Sequence, residues 1–326
     1  MKTEIRTIPA LNGIRVLATV GIFLFHAGFV KQGTFPVTLF FMLSGFMMYY
    51  TKRDSITPMT GIWKMKQMYP LHFLTFVISI FIWQPLGKYS MDYLVKAGVL
   101  QLTLLQSWFP EYTMTFNGLA WYLSISFFLY TISYPLVLLV RNIKKPLYGI
   151  ITVLVGITAI NFYSRISGGG DLYTNPLYRI LDYVLGMMVA KQYIQRDGFS
   201  EKWSNLAEIC ILVSFLIQYL LSLRIGAMPG YYSVLFAFSL YIFAVGQGCV
   251  SKILSYPVFQ KLAANSFAFY MIHELSLRVF RKVFPEPAVF SLKGYLIRCI
   301  LIAVPALIVS VVFAWCYGKI CNRKRK

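Results

Sequence analysis

The sequence predicts an all-α integral membrane protein of about ten transmembrane helices, with one further helix that is re-entrant or lies on the surface. Three observations predict it. Hydrophobic residues make up 58% of the 326-residue chain, charged residues only 13%, and mean hydropathy is +0.65. Soluble domains run at roughly 45–50% apolar and 25% charged. Apolar runs repeatedly approach the ~20 residues that cross a bilayer core. Lys and Arg gather in alternate connections, as cytoplasmic loops of membrane proteins do. An aromatic content of 17% excludes a disordered chain.

The ten runs cover residues 14–30, 37–50, 71–86, 119–140, 148–163, 178–192, 205–222, 231–250, 266–284 and 295–318. Several are short for a core of ~30 Å, so their ends extend into the flanking loops. A weaker run, 93–109, carries Lys96, Gln101 and Gln106. Loop charge decides its status. If it does not span and the N-terminus is inside, the inside segments 2–6, 52–66, 141–145, 191–202, 252–261 and 319–326 hold 19 of the 31 Lys and Arg. If it spans, the loop 110–118 falls inside without a Lys or Arg, and 141–145 falls outside. The first arrangement is expected, with both termini cytoplasmic in a multi-pass protein of a cell inner membrane. The same rule accounts for the net charge of +20 without nucleic acid. The expected organisation is one transmembrane domain over 1–326, core about 8–318, since the longest polar stretch, 196–205, is too short for a soluble domain.

The first run carries Arg15 and His26, and ionisable groups within a span tend to be functional. Eleven residues at 100° each bring them to one face, separated by ~16 Å along the axis. Arg15 falls at the cytoplasmic boundary, where it either anchors the helix or holds an anion. His26 falls about a turn from the outer end, where a neutral imidazole either packs against another helix or takes a proton from a hydroxyl. The second run reads Phe40-Phe41-Met42-Leu43-Ser44-Gly45-Phe46 and runs inward, so Ser44 is expected near the depth of His26. Gly45 permits close helix contact.

Ahead of the third run, Lys64 and Lys66 precede Tyr69-Pro70-Leu71. They read as two cations at a cytoplasmic helix start, suited either to anchoring or to a coenzyme-A phosphate. The fourth run opens Trp121-Tyr122-Leu123-Ser124. Trp121 and Ser124 are expected at the depth of His26. On the sixth run Arg179 and Asp182 are spaced to pair. His273-Glu274 on the ninth reads as packed, nearer the inner side. Arg278, Arg281, Lys282 and Lys293 break the charge rule at the outer side. They read either as headgroup contacts or as a basic rim for an anionic substrate. The five Cys form no CxxC pair and no metal spacing.

In order, the motifs are Arg15-x10-His26, FFMLSGF, a basic stretch before Tyr-Pro-Leu, Trp-x-Leu-Ser, Arg179 before Gly186, and Ser-Phe-Ala-Phe-Tyr-Met-Ile-His. Together they resemble the membrane-bound acyltransferase-3 family across about residues 8–318, most specifically in LNGIRVLATVGIFLFH and FFMLSGF. The resemblance implies a ten-helix bundle that moves an acyl group, commonly acetyl, from acetyl-CoA to a hydroxyl of a cell-surface or lipid-linked glycan. It implies essential roles for Arg15 and His26, and a donor side at Lys64 and Lys66. Ser44, Trp121, Ser124 and Arg179 complete the expected substrate-binding set. His26 would act as base or carry the acyl group. Acyl-CoA, the glycan acceptor and membrane lipids are the expected partners, with no bound cofactor, no metal and no nucleic acid. The chain departs from the family pattern at Gln67, where Arg is frequent, and at Ser126, where Glu is frequent. Thr38 and Leu39 stand where an Asp is frequent. No fused extracytoplasmic domain is expected. The rival class is a transporter or flippase of a glycan-related substrate, which would release no CoA.

Overall fold

The computed structural model describes residues 7–30, 36–83, 89–169, 171–195, 201–225, 229–284 and 292–323. Lys2, Arg6, Arg196 and the side chain of Lys293 lie outside the described residues. The described helices are, in order, α1 (Pro9–His26), α2 (Pro36–Lys52), α3 (Thr60–Trp83), α4 (Met91–Thr103), α5 (Trp121–Thr131), α6 (Ser133–Asn142), α7 (Pro146–Ser167), α8 (Pro176–Gln195), α9 (Glu201–Ile225), α10 (Pro229–Val245), α11 (Cys249–Leu254), α12 (Pro257–Val283) and α13 (Leu292–Arg323). Three 3-10 turns, at Gln106–Trp108, Pro110–Tyr112 and Gly118–Ala120, link α4 to α5. No strand occurs among the described residues.

Every predicted run falls on a helix, but among the described residues five helices are long and apolar enough to cross a membrane by themselves, or six counting a bent pair. The five are α1, α3, α7, α9 and α13. The remaining helices are shorter or more polar, and α2 and α8, at the centre, face protein. α2 buries eleven of its 17 residues, while α7 fully buries only Pro146 and Ile157 and leaves much of its surface exposed. A helix wrapped by other helices needs no continuous apolar surface.

Three boundaries differ from the sequence reading, each for a local reason. α1 ends at His26, four residues early, because Gly28 takes the left-handed conformation (φ +89°) and turns the chain. α3 starts at Thr60 and carries Pro70 inside it. Lys64, Lys66 and Gln67 interrupt the apolar pattern there without breaking the helix, and a membrane helix tolerates Pro where neighbours satisfy the freed groups. Lys64 and Lys66 therefore sit within the helix rather than on its first free N–H groups. The run 119–140 is two helices, α5 and α6, bent by 58°. Pro135 lacks an N–H and crowds the carbonyl a turn earlier, and this kinks the helix. α4 has 13 residues, capped by Ser90, whose hydroxyl accepts from the Tyr93 N–H at 3.3 Å. At 1.5 Å per residue it is ~20 Å long, too short to span.

The bundle is built around the crossing of α2 and α8. A Cβ at Gly45 would meet the Tyr183 carbonyl, and one at Gly186 would meet the Met42 carbonyl. Two glycines thus let two backbones touch, each against the other helix. α12 lies between α1 and α13. Two charged side chains hold helix ends inside the bundle. Lys191, expected as a loop cation, is buried on α8, where its Nζ donates to the carbonyls of Val140 (2.9 Å), Arg141 (2.8 Å) and Ile143 (2.5 Å). It closes the C-terminus of α6, where cations are favoured. Glu208 on α9 accepts from the N–H groups of Val250 (2.8 Å) and Ser251 (3.2 Å) at the start of α11.

Candidate active site

α1 carries a polar cluster at each end. At its C-terminus, His26 Nδ1 lies 3.4 Å from Glu274 Oε2 on α12. That is ion-pair distance, although Oε2 has no aligned hydrogen-bond donor. Such contacts in unliganded sites commonly tighten when substrate binds. The other carboxylate oxygen accepts from Arg278 Nε (3.3 Å) and Arg281 Nη1 (3.2 Å). Arg281 Nη2 donates to the His26 carbonyl, and Arg278 Nη1 donates to the Phe116 carbonyl at 3.0 Å. One carboxylate and two guanidinium groups therefore fix the imidazole, the end of α1 and the connecting segment together. His273, the next residue back on α12, is fully buried with its ring 5.3 Å from that of His26.

His26, Glu274 and Arg278 open onto a cavity of about 210 Å³. Its walls are Ile22, Phe25 and His26 of α1, Val37 of α2, Met114, Gly118 and Leu119 of the connecting segment, Trp121 of α5, Tyr173, and Tyr270, Glu274 and Arg278 of α12. The lining is mostly apolar and aromatic with a few convergent polar groups, the usual composition of a small-molecule site. Asn117 anchors the connecting segment by donating to the Met271 carbonyl at 2.9 Å. Burial pushes the phenol of Tyr173 up, so it stays protonated as a donor.

At the other end, Arg15 lies near Tyr122 and Tyr130, and Lys64 lies near Arg15 and Lys52. Lys64 Nζ lies 5.1 Å above the Tyr130 ring. Ser44 Oγ lies 3.4 Å from the Tyr122 hydroxyl. Among the described residues, no carboxylate pairs with Arg15, Lys52 or Lys64. Arg15, Ser44 and Lys64 are each half-buried.

The structure thus divides the predicted set. His26 and Trp121 share the cavity. Arg15, Lys64 and Ser44 share the opposite cluster, and Ser44 is not at the cavity where its depth placed it. Lys66 is exposed, with its Nζ 4.7 Å above the exposed Trp63 ring, and belongs to neither. Ser124 is buried and accepts from the Ser107 N–H at 3.2 Å, pinning the turn after α4 rather than facing a ligand. Arg179 is buried between Asp182 (2.5 Å), Thr38 (2.9 Å) and the Tyr173 carbonyl (2.9 Å). It holds Tyr173 at the cavity wall and does not reach into it. Ser126 is buried, Gln67 exposed, and Thr38 serves Arg179.

The sequence places His273-Glu274 nearer the inner side with a packed His; His273 is buried, and Glu274 faces His26 at the C-terminus of α1. Arg278 and Arg281, which the sequence reads either as headgroup contacts or as a basic rim, both tie to Glu274, and Arg278 also lines the cavity. Lys282 donates to the Ile82 carbonyl at 2.9 Å. A sequence signal did exist: Glu274, Arg278 and Arg281 stand at i, i+4 and i+7, one stripe of a helix, with a carboxylate inside an apolar run.

Apolar helices around two polar clusters describe a helical membrane protein, and comparison with known sequences defines the class as a membrane acyltransferase. The chain belongs to the acyltransferase-3 family, whose acyltransferase domain it matches over residues 8–316. It is similar to Acyltransferase MdmB of Streptomyces mycarofaciens, with 27% identity over 327 residues, covering 85% of this chain and 81% of the relative. No solved structure matches it.

Proposed function

We propose that this protein transfers an acyl group, acetyl first among them, from acyl-CoA to a hydroxyl of a cell-surface or lipid-linked glycan. The His26–Glu274 pair on the cavity carries the reading. A carboxylate beside Nδ1 favours the tautomer with its proton there, leaving Nε2 as the acceptor. His26 then takes the proton of the acceptor hydroxyl, and the oxygen attacks the thioester carbonyl. The C–S bond breaks, and the departing thiolate takes the proton back from the imidazole. Trp121, Tyr173 and Tyr270 offer aromatic faces to a sugar ring, and Glu274 and Arg278 offer polar contacts.

The donor's phosphates are assigned to the Arg15 and Lys64 cluster, which has cations and no carboxylate of its own. With that end at the cytoplasm of a cell inner membrane, acyl-CoA enters from its own compartment and the acceptor hydroxyl reacts on the far side. The test is mass spectrometry of surface glycans from a host expressing wild type or His26→Ala, with free CoA measured in the same membranes. The expected result is one added acetyl mass in wild type only, with the His26→Ala rate lower by about 10²–10⁴-fold, the range of a lost general base. Another acyl mass would change the donor. Absence of CoA release in a host holding a suitable acceptor would overturn the reading.

A further inference from the structure

Three aromatic rings stand between the two polar clusters. Phe40 of α2, Tyr122 of α5 and Tyr270 of α12 meet edge to face, with centroids 6.2, 6.3 and 5.6 Å apart. Tyr270 lines the His26 cavity. Tyr122 touches the opposite cluster, with its hydroxyl 3.4 Å from Ser44 Oγ. Along α1, Ile22 on the cavity wall and Arg15 are seven residues apart, ~10 Å of helix. The triad links the cavity, through Tyr270, to the cluster, through Tyr122. Tyr122 and Tyr270 are buried and Phe40 is half-buried, so the rings pack as one layer away from solvent.

We propose that Phe40, Tyr122 and Tyr270 form a gate: shut to water at rest, it opens by ring rotation to admit the acyl-thioester arm of the donor from the Arg15 end to His26. The direction of passage rests on the proposed function, whereas the barrier itself does not. A membrane protein with polar groups at both ends of one helix needs such a barrier, because a continuous water thread between them would leak protons and hydrolyse a bound thioester. Edge-to-face rings suit the task. They exclude water as a packed layer, yet no covalent or ionic tie joins them. The Tyr122–Ser44 contact is the polar latch on the Arg15 side.

The test is one-sided labelling. Ser44→Cys is placed in a chain whose five native cysteines are replaced by Ser, and a membrane-impermeant sulfonated thiol reagent is applied to spheroplasts and to inverted vesicles. Lys66→Cys and Met114→Cys, both at exposed positions, report which side each preparation presents. With the rings intact, Ser44→Cys should label only from the side that labels Lys66→Cys. Adding Tyr122→Ser should bring labelling from the Met114 side up from none to the rate seen from the Lys66 side, while Tyr122→Phe, which keeps the ring, should not. If Tyr122→Ser does not insert, Phe40→Ala opens the same triad from α2 and is read in the same way. Labelling from both sides with the rings intact, or no gain on opening the triad, would overturn the gate. Labelling needs no turnover, so CoA release by wild type tests the enzyme reading separately.

Discussion

The two ends of α1 are built on opposite principles. At the His26 end every charge has a partner within the protein. Glu274 faces His26, Arg278 and Arg281, and the guanidinium groups also hold the carbonyls of Phe116 and His26. At the Arg15 end, among the described residues, cations gather without a carboxylate, over phenol rings and a serine. The first arrangement suits a group that must keep one orientation while bonds change, because pre-set neighbours need not reorganise. The second is incomplete by itself. Like charges held together in a half-buried site are relieved by an anion from outside. Preorganisation at one end and deficit at the other is what a two-substrate transfer needs, with chemistry where groups are fixed and ligand capture where they are not.

The comparison can be broken from either side. Glu274→Gln keeps the volume and removes the charge that orders the first end, so the rate of CoA release should fall about 10–100-fold, the worth of a charged hydrogen bond. An unchanged rate at normal expression would reduce Glu274 to a packing residue. Gly186→Ala tests the frame that both ends depend on. Its Cβ would meet the Met42 carbonyl, and thermal unfolding in detergent should show a loss of about 1–3 kcal/mol, typical of overpacking. Gly156→Ala, on α7 with nothing within 4 Å of the added carbon, is the matched control and should be neutral or slightly stabilising.

At the second end, Arg15→Gln or Lys64→Met should raise the KM for acyl-CoA about tenfold with a smaller change in kcat, and the difference should shrink in high salt. A fall in kcat at constant KM would move those residues to the chemistry and erase the contrast between the ends. The smallest effect is expected of Lys66→Ala. That side chain is exposed beyond both clusters, and an isolated surface cation contributes little, so KM should stay within about twofold.

Much of the frame was legible in the sequence. Apolar runs marked the positions of the helices, because a side chain facing lipid or core must be apolar wherever it stands in the chain. The short α4 was separated from the spanning runs by loop charge alone. Gly45 announced a close crossing, and its counterpart Gly186 supplies the other half. Arg15 and His26 were legible as ionisable groups inside a span. The helix boundaries at His26, Thr60 and Ile132 were less so. They depend on a left-handed glycine, on polar residues that remain helical, and on a proline kink, and each interrupts hydropathy differently from how it interrupts the backbone.

Depth estimates failed for Ser44 and Ser124 because depth along one axis does not say which neighbour a side chain meets. Ser44 turned toward Tyr122, and Ser124 toward Ser107. The sequence by itself determined that this is a helical membrane protein, which residues are ionisable within it, and which family it belongs to, since composition, periodicity and motif order are properties of the chain. The tertiary structure alone decided that Glu274 faces His26, that Arg281 reaches the His26 carbonyl across 255 positions, and that three rings from three helices meet between the ends. Local rules fix how each helix forms. Which faces meet is settled by packing summed over the whole bundle, and no single segment carries that information.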